Sequence, residues 1–161
     1  MKLKSLLSIT LAFTATSLFA DVRAVTPDQW GGKKDGVQMK RHNLFKKRIA
    51  EGAGEVVFIG DSITHFWETK KSWKKHFGAG PRKALNLGIS ADRTEHVLWR
   101  ITEGGELDGY EAKVVVLLIG TNNAGHHTFE KEPPVDTVHG IKKIIHVIRT
   151  KQPKARELLT A

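Results

Sequence analysis

Three short stretches carry the residue types that acyl transfer requires. Gly60-Asp61-Ser62-Ile63-Thr64 places a serine directly after an apolar run, Asn86-Leu87-Gly88 closes a second run, and Gly120-Thr121-Asn122-Asn123 follows a third. Attack on an ester needs an exposed hydroxyl, and the tetrahedral intermediate needs donors aimed at its oxyanion. Ser62 offers the hydroxyl and its own backbone N–H. Gly88 offers a second backbone N–H and, lacking a side chain, lets a substrate come close. The Asn122 carboxamide offers a third donor. One such donor is worth about 3–4 kcal/mol of barrier where it has been removed. Each signal alone has an ordinary structural reading: Gly after a strand is turn chemistry, and Asn122 and Asn123 suit a turn or a helix cap. Their order at three successive strand ends is what points to a site.

The elements that must hold these residues are legible as runs and stripes. Val56-Val57-Phe58-Ile59, Ala84-Leu85-Asn86-Leu87 and Val114 to Ile119 are continuous apolar runs, the pattern of parallel strands covered on both faces. Residues 38–51 form a helical pattern with Leu44, Phe45 and Ile49 inward and Gly52 as its stop. Thr94 to Thr102 carries Val97, Leu98 and Ile101, and the segment after Pro133-Pro134 carries Val138, Ile141, Ile144, Ile145 and Ile148. Strand and helix alternate, which is the plan of a doubly wound α/β sheet with right-handed crossovers. In such a sheet all three strand ends share one edge, the edge where ligands bind.

The chain has 161 residues, enough for one domain, and no cysteine, so neither a disulfide nor a cysteine-linked lipid anchor is available. Met1-Lys2-Leu3-Lys4 followed by an uncharged apolar run from Leu6 to Phe19 and then Ala20 reads as a signal peptide over residues 1–20, with a packed N-terminal helix as the alternative. That implies a periplasmic or extracellular protein, from a cell with a Sec-type pathway, with no stable membrane span after cleavage. Residues 21–37, with Pro27 and Gly31-Gly32, read as a linker, and residues 38–161 as the folded domain. The net charge of +9 stays strongly positive once Lys2 and Lys4 are removed. The basic pairs are scattered, so a solvated basic surface is favoured over nucleic-acid binding. Binding of anionic polymers, with Trp67, Trp73 and Phe77 interleaved among lysines, is kept as a competing function.

The three stretches together resemble the first three sequence blocks of the SGNH, or GDSL, hydrolase family. Asn86-Leu87-Gly88-Ile89 through Asp92, then His96-Val97-Leu98-Trp99-Arg100-Ile101, is similar to a narrower branch: the catalytic subunits of platelet-activating-factor acetylhydrolase and their secreted bacterial relatives. The similarity runs from about residue 38 to Arg156. It implies a three-layer α/β/α flavodoxin-like sheet with the first strand between the second and third. It further implies a cofactor-free and metal-free serine ester hydrolase acting on acylated lipids or sugars, with Ser62 as nucleophile, an oxyanion hole from Ser62, Gly88 and Asn122, and a homodimer as its assembly. Ser90-Ala91 departs from the branch, which has two glycines there.

The family also places an Asp-x-x-His block, the general base and its orienting acid, beyond a fourth and fifth strand. On this reading the fold is C-terminally truncated at about strand 4, no general base stands in the chain, and activity is impaired. Asp136-Thr137-Val138-His139 has the spacing but is rejected as that block: Asp136 suits a helix cap after Pro133-Pro134, and His139 shares a solvent stripe with Lys142, His146 and Arg149. His126-His127 lies nearer the strand edge and reads as a loop pair, and the four histidines 126, 127, 139 and 146 lack the spacing of a metal site. A binding module for an acylated sugar or lipid is the alternative function.

Overall fold

A computed structural model describes residues 22–52, 54–78, 84–125 and 130–160. The proposed signal segment and the His126-His127 pair fall outside the described residues, apart from which every expected element is present. Four parallel strands, β1 (Val56–Gly60), β2 (Ala84–Gly88), β3 (Val114–Leu118) and β4 (Arg156–Leu159), lie in the order β2-β1-β3-β4. The first strand is therefore flanked by the second and third, as the family resemblance implies. Gly60 pairs in register with both Gly88 and Leu118, so the three strands end level with one another.

Among the described residues five α-helices accompany them: α1 (Val37–Ala50), α2 (Ser62–Trp67), α3 (Lys71–Trp73), α4 (Thr94–Ile101) and α5 (Pro134–Lys151). Side chains alternate across a strand. Val57, Ile59, Leu85, Leu87, Val115 and Leu117 face one side, where Val97, Leu98 and Ile101 of α4, Ile144 and Ile148 of α5, and Phe45 and Ile49 of α1 complete a single apolar core. On the other side Phe58 is ringed edge-on by Trp67, Trp73 and Phe77, with centroids 4.9–5.3 Å away. These aromatics pack on one another, and Trp73 is buried, so they do not form an open platform for stacking bases.

Four details differ from the sequence expectation. Leu44 is 39% exposed, and His42 takes its place inward, three residues from Phe45 on the same helix face. β3 is covered on one face only: Val115 and Leu117 are buried, while Val114, Val116 and Leu118 stay half-open because α2, the helix on that side, is six residues long and reaches β1 and β2. Within residues 21–37, read as linker, Ala24 and Trp30 are packed on the domain. Ala24 is fully buried in a 3-10 turn (Arg23–Val25), Thr94 Oγ1 donates to Ala24 O at 2.9 Å, and the Trp30 indole donates to Asp92 Oδ1 at 2.9 Å. Val138, placed on the buried stripe of α5, is 46% exposed, whereas His139, Lys142, His146 and Arg149 are exposed as expected.

Candidate active site

Ser62 is the first residue of α2, directly beyond the end of β1. The turn between them is held by Asp61, whose carboxylate accepts the Ile63 N–H at 2.9 Å and caps the helix. Ser62 itself is half-exposed at the sheet's C-terminal edge. Its backbone N–H has no acceptor among the described residues, as befits the first turn of a helix.

Gly88 is brought to the same edge, opposite Gly60, but its N–H is already committed. Asn86 donates from its side chain to Thr64 O at 2.7 Å, which turns Asn86 Oδ1 toward Gly88 N at 2.9 Å. The Gly88 carbonyl is also taken, by Arg41 Nε at 2.7 Å. What Gly88 does here is allow contact: a Cβ would collide with the backbone of Thr64 and His65, so its absence lets α2 lie directly on β2. The Gly88 N–H, expected from the sequence as an oxyanion donor, is thus hydrogen-bonded to Asn86 Oδ1 in this geometry.

The other backbone N–H groups of the turn after β2 are committed, with one exception among the described residues. After Gly88, Ile89 N donates to Gly60 O at 3.1 Å, Ser90 N to His65 Nδ1 at 3.2 Å, and Asp92 N to Ile89 O at 3.2 Å. Ala91 N–H alone in this turn has no acceptor among the described residues. Ala91 is half-exposed at φ 71°, the left-handed region that favours glycine. No motif marked this donor in the sequence. The signal present there was the departure from glycine at a position that the turn wants in left-handed form.

Asn122 is buried at the end of β3 and donates through Nδ2 to Asp92 O at 2.6 Å. An amide nitrogen carries two hydrogens, so one remains for an oxyanion. Asn123 is structural: its Oδ1 accepts Thr94 N at 3.0 Å, and its Nδ2 reaches Glu132 at 2.8 Å. Glu132 in turn pairs with Arg93 and Arg23, and Arg93 with Glu95 at 2.8 Å, so the loop bearing Asn122 is clamped onto the start of α4.

Beneath Asn122 lies a buried charged chain that sequence reasoning passed over. Both Asp92 and Arg100 are fully buried; Arg100 Nε and Nη2 meet Asp92 Oδ2 at 2.9 and 2.8 Å, Arg100 Nη1 pairs with Glu106, and His42 Nδ1 lies 2.6 Å from Glu106 Oε1. Burial pushes the Asp92 carboxyl up to about 7, against the opposing pull of Arg100 and the Trp30 indole. The Arg100 guanidinium is held above its ordinary value by Glu106 and Asp92 despite its burial.

No described histidine hydrogen-bonds Ser62 Oγ. His65 gives its Nδ1 to Ser90, and burial together with Arg41 lowers its basicity. Asp136 is half-buried and His139 exposed in the first turns of α5, and the residue capping that helix is Pro133 rather than Asp136, with no side-chain bond.

Ser62, the Ala91 N–H and Asn122 thus lie beyond the C-terminal ends of three adjacent strands of a level parallel sheet. The chain belongs to the GDSL-like lipase/acylhydrolase family, whose model matches residues 58–160. It is 42% identical over 122 residues to platelet-activating factor acetylhydrolase IB subunit alpha1 of Bos taurus and of Homo sapiens, covering 76% of this chain and 49% of each relative. The alpha2 subunit of Rattus norvegicus is 37% identical over 118 residues, covering 73% of this chain and 48% of that protein. The chain thus spans about half the length of the curated relatives it matches. Among solved structures, a GDSL-like lipase of Bacteroides thetaiotaomicron superposes with a TM-score of 0.52 at 21% identity, over 73% of this chain and 58% of that one. A Bacteroides fragilis protein solved as a candidate acylhydrolase gives 0.58 at 19% identity, over 79% and 58%. Both likenesses concern the fold.

Proposed function

We propose that this chain carries the nucleophile side of a serine-dependent acyl-ester hydrolase for acylated lipids or carbohydrates. The observation that carries the reading is the convergence of Ser62, an uncommitted N–H at Ala91 and a half-used Asn122 amide on three adjacent strand ends. Ser62 Oγ attacks the ester carbonyl. The oxyanion accepts from the N–H groups of Ser62 and Ala91 and from the second hydrogen of Asn122 Nδ2, while Gly88 keeps α2 close enough for all three to face one point. Collapse of the tetrahedral intermediate expels the alcohol and leaves the acyl group on Ser62, which water then removes.

Taking the Ser62 proton requires a general base, and no described residue is hydrogen-bonded to do so. Oxyanion stabilisation and binding without a complete triad still give about 10³–10⁴-fold over water in serine proteases, and this chain acting alone is placed in that range. A serine-reactive fluorophosphonate tests the assignment: it should label the wild type and not Ser62→Ala. Equal labelling of both would remove Ser62 from the mechanism. The lack of a base contact also supports a second reading, a binding module for acylated sugars or lipids. That reading expects ligand affinity to survive Ser62→Ala with no turnover of p-nitrophenyl acetate above buffer. Export is proposed from residues 1–20, and N-terminal sequencing of the mature protein should find a start near Asp21.

A further inference from the structure

One face of α2 is unusual in what it exposes. Ser62, Ile63, Phe66, Trp67 and Lys70 recur at the spacing of a single helix side and line a shallow groove of about 370 Å³. Ile63 and Phe66 are 55% and 51% exposed, although a helix beside a catalytic edge ordinarily buries such side chains. Trp67 forms the groove's rigid wall, pinned edge-on by Phe58 at 5.2 Å and Trp73 at 5.3 Å. Turns at Glu68, Thr69 and Lys70 continue the helical path, through bonds from Glu68 N to His65 O, Thr69 N to Phe66 O and Lys70 N to Trp67 O. Eight residues of helical rise separate Ser62 from Lys70 by about 12 Å.

The charge at the far end is uncompensated. Glu68, the acid nearest in sequence, is drawn to the other side by Arg41 at 2.8 Å and Arg48 at 2.5 Å. Among the described residues no carboxylate pairs with Lys70, and Lys71, Lys74 and Lys75 stand exposed just beyond it. An apolar trough that starts at a nucleophile and ends at a free ammonium complements one ligand chemistry: an alkyl chain with an anionic terminus.

We propose that this groove is the acyl-side subsite, and that it selects esters whose apolar chain carries an anionic group at the end away from the ester. This names a substrate class for the site and rests on the reading of Ser62 as its nucleophile. The chain lies on Ile63, Phe66 and Trp67, and Lys70 receives the anion.

Calorimetric titration with octanoate and with 1-octanol, both below micelle-forming concentration, tests the subsite without depending on turnover. Octanoate should bind about three- to fivefold more tightly than octanol, the scale of an exposed ion pair, and the preference should shrink in high salt. Lys70→Gln should erase the preference and leave octanol binding alone, and Phe66→Ser should weaken both ligands. Equal affinity for the two ligands in the wild type would overturn the proposal. So would a loss of preference in Lys71→Gln, outside the groove, as large as in Lys70→Gln. A Phe66-dependent dimer in sedimentation equilibrium without octanoate binding would assign the face to a second copy of the chain and overturn it as well. Octanoate binding in a protein whose Ser62 resists fluorophosphonate would sustain the subsite while refuting the nucleophile, so the two readings fail separately.

Discussion

Asn122 Nδ2 donates to the main-chain carbonyl of Asp92 at 2.6 Å, tying the end of β3 to the turn that follows β2. One hydrogen of the amide fixes the side chain, and the other is uncommitted and is the one assigned to the oxyanion in the proposed function. Asp92 is in turn immobilised through its carboxylate by Arg100 and Trp30, so the donor is oriented before any ligand arrives. Preorganisation of this kind is what makes an oxyanion donor effective, since nothing must be reoriented during the reaction.

Removing that donor gives the first prediction. Asn122→Ala should slow fluorophosphonate labelling of Ser62 by about a hundredfold, the lower end of the loss seen for one oxyanion donor. Second-order labelling rates on folded protein measure it. An unchanged rate would mean that the amide serves only to brace the Asp92 turn.

Gly88 is expected to matter for stability rather than as a donor. A Cβ there meets the His65 backbone N–H, with the Thr64 carbonyl carbon at 2.7 Å and His65 Cα at 2.8 Å, and backbone cannot swing aside as a side-chain end would. Gly88→Ala should therefore cost about 3 kcal/mol, the upper range for overpacking a tight contact. Urea denaturation would show it as a lower midpoint with an unchanged slope. A loss of labelling at full stability would instead restore Gly88 to the oxyanion hole.

How much of this was legible without coordinates depends on what each residue does. The apolar runs of β1 and β2 and the stripe of α4 show in the sequence because continuous burial and helical period leave a pattern. Ser62 and Asn122 show because their strand ends are marked by such runs. The chain of His42, Glu106, Arg100 and Asp92 does not, because polar residues default to solvent in any periodicity argument, and its members come from α1, α4 and two loops. A trace existed: Arg100 stands beside Ile101 and three residues after Val97, within the buried side of α4. Trp30 was lost for the opposite reason, since a polar, glycine-containing segment hides one buried indole anchored on an acid 62 residues away.

Ala91 sits at φ 71° between Ser90 and Asp92, where an L side chain is strained by about 1 kcal/mol or somewhat more. Ala91→Gly relieves the strain but adds freedom to the unfolded chain, which offsets part of the gain. A net stabilisation of about 0.5 kcal/mol is expected, visible in thermal denaturation as a rise of roughly 1–3 °C. The backbone N–H is untouched, so labelling of Ser62 should be retained. A drop in stability would show that the Ala91 methyl makes a contact worth more than the strain.

His96 supplies a dependence on pH. Its ring stacks on Trp30 with centroids 5.7 Å apart, and its Nδ1 accepts the Arg93 N–H at 3.1 Å, a bond that requires the neutral imidazole. Burial lowers its pKa to about 4, with Arg93 and Arg100 acting the same way and Asp28 opposing. The folded value thus lies below the ordinary 6.5, and the unfolded chain binds the proton more readily between the two. Stability from His96 is therefore present above about pH 6.5 and is lost as pH falls toward 4. Asp92, raised by burial, acts with the opposite sign over much of the same range, so total stability alone would mask the effect. The comparison of wild type with His96→Gln isolates it, because Gln accepts the Arg93 N–H without titrating. Urea unfolding at pH 7.5 and at pH 4.5 should show the stability difference moving by about 2 kcal/mol against the wild type at the lower pH. A difference that stays constant between the two would place the His96 titration outside this range and remove it as a source of acid sensitivity.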